Sequence, residues 1–170
     1  MKKNLDLFLE MYQKNEPSVA HDQIQQLKPL MDLHFLTSLD SMLKTWDTSI
    51  QVHLPDVRDE SSSIDTTAKD ASSYFDQGMG LLFKDVQTLS PLLQEWIDAL
   101  RKKLSLSSLT YGRCLVYATP DGKGTAPHFD QNINFVLQIH GTKKWIMAPN
   151  SQVTNPMTRH TMGQPTDPEL

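Results

Sequence analysis

The sequence has little cysteine, little glycine in its first half, no long hydrophobic run and no excess of basic charge. One cysteine among 170 residues, Cys114, cannot form an internal disulfide, which excludes a disulfide-rich secreted scaffold. With 16 basic and 20 acidic residues the formal charge is −4, which argues against a general nucleic-acid binder. No apolar run approaches the roughly 20 residues of a membrane span, and Asp6 and Glu10 interrupt the region where a signal peptide would lie. We therefore expect a soluble cytoplasmic protein with no general affinity for nucleic acid or membranes.

The seven glycines are unevenly placed, since none precedes Gly78 and five lie between Gly112 and Gly163. Glycine weakens helices and supports tight turns, so the first part of the chain is predicted to be helical and the last part rich in turns. Apolar residues recur at helical spacing within residues 4–46. A further helix is predicted after Ser90-Pro91, because serine can accept a hydrogen bond from a free backbone amide and proline suits the first helical turn.

Strand patterns separate and follow these helices. Ile50–Leu54 alternates between apolar and polar residues and predicts a short strand, whereas residues 56–77 are polar and predict a surface loop. From Leu109 onward the residues are typical of β structure. The predicted strands there cover residues 111–119, 125–130, 133–140 and 143–148.

Two potential metal ligands lie in the segment Thr125–Asp130. Alternate side chains leave the same face of a strand, so His128 and Asp130 could bind one metal ion together. An imidazole and a carboxylate are two of the three ligands in the facial triad that holds Fe(II) and leaves other positions open. Lys143, at the start of the predicted return strand after Gly141, could supply the cation that anchors a free carboxylate such as that of 2-oxoglutarate.

The stretch from Tyr117 to Trp145 contains a series of motifs that are more specific together than His-x-Asp alone. They are Tyr-x-Thr-Pro, a glycine loop, Pro-His-x-Asp, Phe-x-Leu-Gln-Ile and Gly-x-Lys-x-Trp. This stretch resembles the JmjC and cupin-like Fe(II)/2-oxoglutarate oxygenases, and most of all their ribosomal-protein hydroxylase branch. Some features are also similar to the asparaginyl hydroxylase that acts on hypoxia-inducible factor.

The resemblance implies roles for five residues. His128 and Asp130 would bind Fe(II), Lys143 would bind the far carboxylate of 2-oxoglutarate, and Thr125 and Asn134 would make polar contacts to this cosubstrate. In the implied reaction O2 is the oxidant: one oxygen atom hydroxylates a substrate C–H bond and the other enters succinate as 2-oxoglutarate loses carbon dioxide, with no catalytic residue beyond the metal ligands. A protein side chain is the expected substrate, and a small molecule is the alternative.

The expected fold class is α+β. Residues 1–108 would form a mainly helical amino-terminal part with a polar loop at about 56–77, and residues 109–170 would form the first part of a double-stranded β-helix, the jelly-roll of the cupin and JmjC type. That barrel has eight core strands, of which three or four can be identified after Leu109. At about 5–6 residues per strand, the rest needs roughly 60–100 further residues. We therefore expect an amino-terminal part of a longer oxygenase, with a natural truncation or a degenerate family member as the alternative.

The third iron ligand of the family is a histidine on a later strand. Downstream of Asp130, His140 ends the strand that directly follows the motif, and His160 lies in a segment without a strand pattern. Neither is assigned as the third ligand.

Three other interpretations remain. His128 and Asp130 could be a structural pair on a strand, with Lys143 an ordinary surface charge. The chain could instead be a non-enzymatic module that binds a metal or a partner, because exposed strand edges favour pairing with another chain, including a second copy. A metal-binding cupin such as an isomerase is disfavoured, because those proteins usually present His-x-His.

Overall fold

A computed structural model describes residues 2–14, 17–54, 63–125, 128 and 132–147. Those residues form helices and a sheet with antiparallel pairing. The helices are α1 (Lys2–Gln13), α2 (Ile24–Met31), α3 (Leu39–Thr45), α4 (Ala68–Asp76) and α5 (Pro91–Lys103), and the strands are β1 (Ile50–His53), β2 (Ile64–Thr66), β3 (Gly80–Lys84) and β4 (Leu115–Ala118). Short 3₁₀ helices cover His34–Leu36 and Val86–Leu89. The helices predicted within residues 4–46 and after Ser90-Pro91 are confirmed, as is the strand at β1.

Helices α1 and α5 pack through one aromatic pair and one ion pair. The rings of Phe8 and Trp96 meet edge to face with centroids 5.5 Å apart, and both side chains are buried. Lys103 Nζ lies 2.5 Å from Asp6 Oδ1. The aromatic contact carries most of the stabilisation, because the ion pair is exposed to solvent, where such pairs contribute about 0–1 kcal/mol.

The serines that precede α3 and α5 behave differently, and only the cap at Ser90 is predicted from the sequence. Ser38 precedes α3, and its hydroxyl accepts a hydrogen bond from the Ser41 amide over 3.0 Å. Ser90 precedes α5, with Pro91 in the first turn as predicted. However, the Ser90 side chain makes no capping bond, so that expectation is wrong. The first turn is closed by backbone instead, since the Leu93 amide donates to the Ser90 carbonyl over 3.1 Å.

The strands form one sheet in the order β2-β1-β3-β4. β1 pairs antiparallel with both neighbours, so that Gln51 lies opposite Asp65 of β2 and opposite Leu82 of β3. Along β1, Ile50 and Val52 are almost completely buried while the residues between and after them are half-buried. This alternation is the one the sequence predicts for a strand with one face on the core.

The segment predicted as a polar loop at about 56–77 differs from that expectation in its second half. β2 and α4 occupy much of it, and Ala71 of α4 is completely buried. Serine, threonine and aspartate favour loops by composition, but the burial of one helix face outweighs those local preferences. Residues 55–62 lie outside the described residues.

The strands predicted after β4 also differ from expectation. β4 confirms a strand within residues 111–119, whereas the described residues of 125–130, 133–140 and 143–148 belong to no hydrogen-bonded ladder in the described part of the chain. Side-chain alternation is a local property of extended backbone, but a ladder requires a neighbouring strand. The alternating sequence pattern therefore predicts extended backbone, but it does not identify the neighbouring strand that a ladder requires.

The chain divides into two compact units, one of residues 1–46 and 83–116 and the other of residues 47–82 and 117–170. Both units draw on segments from either side of residue 108, and the predicted domain boundary there stays a prediction. Among the described residues, the helices are all too short or too polar to cross a membrane.

Candidate functional site

A turn with glycine at its corner precedes the predicted metal-binding residues. The Lys123 amide donates to the Pro120 carbonyl over 3.1 Å, and Gly122 within this turn has a φ of +69°. That left-handed conformation favours glycine, which has no Cβ. Thr125 follows the turn and is exposed, and its contact with the cosubstrate stays a prediction.

The structure describes one residue of the predicted iron-binding pair, His128. The His128 side chain is exposed, so its imidazole is within reach of solvent. Asp130 lies outside the described residues, as does His160. The shared face of His128 and Asp130 therefore stays a prediction from the sequence.

Residues 134–140 have the alternating exposure of a strand. Phe135, Leu137 and Ile139 are half-buried, whereas the even-numbered residues between and beside them are exposed. Asn134 and His140 are among the exposed set, so Asn134 lies on the accessible side of this segment. The structure places this predicted cosubstrate contact at an accessible position.

Lys143 lies in the next extended segment, after Gly141 with its φ of +65°. Its ammonium nitrogen lies 4.9 Å from the centroid of the Trp145 ring, within the range of a cation–π interaction. Partial burial lowers the pKa of Lys143 from its usual value of 10.5, because desolvation disfavours the charged form. The sequence motif contains both residues, but it gave Trp145 no role. Their spacing of two, which places side chains on one face of extended backbone, is the signal that could have revealed the pair.

A second polar cluster, which we call the Asp85 cluster, consists of Asp85, Gln87, Tyr111 and Arg113. The Asp85 carboxylate accepts hydrogen bonds from Tyr111 Oη over 2.8 Å, from Arg113 Nη2 over 2.6 Å and from Gln87 Nε2 over 3.2 Å. Burial opposes ionisation of Asp85, but the hydrogen bonds from Tyr111 and Gln87 and the charge of Arg113 outweigh it and lower the pKa. The hydrogen bond to Asp85 raises the pKa of Tyr111.

The Asp85 cluster fixes the chain that leads into β4. Gln87 is buried, and its Oε1 accepts a hydrogen bond from the Cys114 amide over 2.8 Å, while the Val86 amide donates to the Cys114 carbonyl over 3.0 Å. Burial raises the pKa of the Cys114 thiol to about 11, so this cysteine stays protonated near neutral pH and is a poor nucleophile. The cluster is therefore a scaffold element. No local sequence signal predicts it, because Asp85 and its partners Tyr111 and Arg113 are 26 and 28 positions apart.

The donor chemistry of the predicted site suits Fe(II). Imidazole and carboxylate are both ligands of the non-haem Fe(II) triad, and the exposed His128 could approach an ion. Within the part of the chain that the structure describes, no three His, Cys, Asp or Glu residues are close enough together to hold a metal ion. Two protein ligands are thus proposed from the sequence, and a third is not identified among the described residues.

Comparison with known proteins gives one family and two relatives. A family model described as the JmjC domain matches residues 92–168. The uncharacterized protein YxbC of Bacillus subtilis (strain 168) is 28% identical over 161 residues, which cover 92% of this chain and 49% of YxbC. The bifunctional lysine-specific demethylase and histidyl-hydroxylase NO66 of Drosophila willistoni is 27% identical over an alignment of 174 positions, which covers 97% of this chain and 22% of NO66.

The chain thus spans about half the length of YxbC and less of NO66. The match to the JmjC domain contains all five residues that the sequence proposed for the iron and 2-oxoglutarate sites, from Thr125 to Lys143. By this match, residues 92–168 of the chain are assigned to the JmjC domain family, in keeping with the similarity to NO66.

Proposed function

We propose that this chain contributes the iron-binding pair and the cosubstrate anchor of an Fe(II)/2-oxoglutarate-dependent hydroxylase. The observation that carries the proposal is the JmjC match over residues 92–168, which contains Pro127-His128-Phe129-Asp130 and Lys143 in one segment. The proposal includes the fold of the whole enzyme, a double-stranded β-helix of the cupin type. The mixed helices and antiparallel pairing of the described residues agree with that fold class.

In this proposal His128 and Asp130 hold Fe(II), together with a third ligand still to be identified. Bound Fe(II) would activate O2, the oxidant that couples 2-oxoglutarate breakdown to substrate hydroxylation. Lys143 donates from Nζ to the far carboxylate of 2-oxoglutarate, a charge-assisted hydrogen bond that fixes one end of the cosubstrate. Thr125 and Asn134, both exposed, would add polar contacts along it.

The proposed substrate is a protein side chain. NO66 is named for two activities, lysine demethylation and histidyl hydroxylation, and both act on amino-acid side chains. The similarity to NO66 extends over 97% of the length of this chain. This similarity favours the same class of substrate, an amino-acid side chain.

The proposal is tested by measuring succinate formed from 2-oxoglutarate with Fe(II) by the full chain. The matched variants are His128→Ala and His140→Ala, since both histidines are exposed and only His128 is a proposed ligand. We expect His128→Ala to lower turnover by more than about a hundredfold, because loss of even an outer partner of a metal ligand costs about 10- to 100-fold. His140→Ala should stay within about twofold of the unchanged chain, because a surface histidine away from the metal contributes little to catalysis.

A second candidate function is a non-enzymatic JmjC-like module that binds a partner. It is favoured by the exposure of Ile133, Val136 and Ile146, each more than half exposed although isoleucine and valine are usually buried. Binding of Fe(II) and 2-oxoglutarate without succinate formation would support this module. A folded chain that binds neither Fe(II) nor 2-oxoglutarate would contradict the oxygenase.

A further inference from the structure

Trp145 differs from the other tryptophans of the chain. Trp46 and Trp96 are buried and pack edge to face against Phe83 and Phe8. Trp145 is 49% exposed, and the Lys143 ammonium lies 4.9 Å from the centroid of its ring. Core packing therefore does not explain why this large, half-exposed indole lies next to a lysine.

The contact with the Trp145 ring restricts the Lys143 side chain but leaves its positive charge unchanged. Among the described residues Lys14, Lys28, Lys44 and Lys103 each pair with a carboxylate, whereas Lys143 makes no such ion pair. A carboxylate partner would compete with an incoming carboxylate for the ammonium. An aromatic ring attracts the cation through its quadrupole and carries no net charge, so the positive charge stays available to a dianion.

The ring also limits the conformations of a flexible side chain. A lysine has four rotatable bonds, and ordering it on ligand binding costs entropy. When the ammonium already lies over the ring, part of that cost has been met before the ligand arrives. The N–H groups directed away from the ring can still donate to carboxylate oxygens.

We propose that Trp145 is a positioning residue that holds the Lys143 ammonium in place for the far carboxylate of 2-oxoglutarate. The inference rests on the proposed function, because it assumes that Lys143 receives this carboxylate. It adds a second residue to the anchor and assigns Trp145 to affinity for the dicarboxylate. The lowered pKa of Lys143 is in keeping with an ammonium partly covered by the ring.

The test is the dissociation constant of 2-oxoglutarate, measured by titration calorimetry on the full chain with Fe(II) under argon. Trp145→Leu removes the aromatic face and keeps apolar bulk, whereas Trp145→Phe keeps an aromatic face. We expect Trp145→Leu to bind 2-oxoglutarate about two- to fivefold more weakly, the range of an exposed cation–π contact. Trp145→Phe should lie between Trp145→Leu and the unchanged chain. Succinate turnover at saturating 2-oxoglutarate should be the same for all three.

A double-mutant cycle separates positioning from a general structural role. In a Lys143→Met background, adding Trp145→Leu should weaken 2-oxoglutarate binding no further, because the ring then has no ammonium to hold. Equal losses with and without Lys143, or equal affinity of Trp145→Leu and the unchanged chain, would overturn the positioning role alone. Absence of 2-oxoglutarate binding by the folded, unchanged chain would overturn the proposed function and this inference with it.

Discussion

Residues 83–116 and residues 120–147 are held in place by different means. In the first region buried side chains and hydrogen bonds between distant residues fix the backbone, as Phe83, Val86 and the Asp85 cluster show. Among the described residues of the second region most large side chains are exposed, and the contacts seen there include a turn and a cation–π pair. The first region is a scaffold, and the second carries the residues proposed to do chemistry. Such a division of roles is common, because accessible segments often carry binding groups while buried segments provide a rigid framework.

The sharpest test of this difference compares a large side chain in each region. Phe83 is completely buried and packs against Trp46 with ring centroids 5.3 Å apart, whereas Ile146 is 64% exposed. We expect Phe83→Ala to lower the free energy of unfolding by about 3–5 kcal/mol through lost burial and a cavity. Ile146→Ala should change it by less than about 0.5 kcal/mol. Urea denaturation measures both, and similar losses would show that the second region is as tightly packed as the first.

Two glycines provide a smaller, matched comparison. A Cβ added at Gly112 would lie 2.6 Å from Ile97 Cγ2, so the alanine variant must displace a methyl group of α5. A Cβ at Gly124 would meet no atom of the described residues within 4 Å. Thermal or urea unfolding should therefore show a loss of about 1–3 kcal/mol for Gly112→Ala and a change below about 0.5 kcal/mol for Gly124→Ala. The reverse order would contradict the contrast between the regions.

The smallest expected effect concerns the Asp85 cluster. The pKa of Asp85 is lowered in the folded protein, so its ionised form stabilises the fold at pH values above the ordinary 3.8. That contribution is lost as the pH falls from 3.8 through the lower folded pKa. Asp85 and Arg113 are each about a third exposed, so Asp85→Asn should lower stability near neutral pH by no more than about 1 kcal/mol. Urea unfolding of both proteins across acidic pH should show the difference shrinking, and a difference that grows on acidification would contradict the assignment.

The fold and the site were predictable to different extents. Ser90-Pro91 and the apolar periodicity predict α5 because helix signals are local, but α4 was missed. Its buried Ala71 and the half-buried Ala68 and Phe75 recur at helical spacing within a polar composition. The motif from His128 to Lys143 was readable because its chemistry lies in one short stretch. The contact of Trp145 with Lys143 needed geometry, and the Asp85 cluster needed tertiary structure, because its members are far apart in sequence.

The central claim is the proposal that residues 120–147 carry an iron and 2-oxoglutarate site. The most direct measurement is Fe(II)-dependent conversion of 2-oxoglutarate to succinate by the full chain beside its His128→Ala and His140→Ala variants. The account predicts succinate formation that His128→Ala abolishes and His140→Ala leaves nearly unchanged. Succinate formation that survives loss of the His128 imidazole in a folded protein would contradict it.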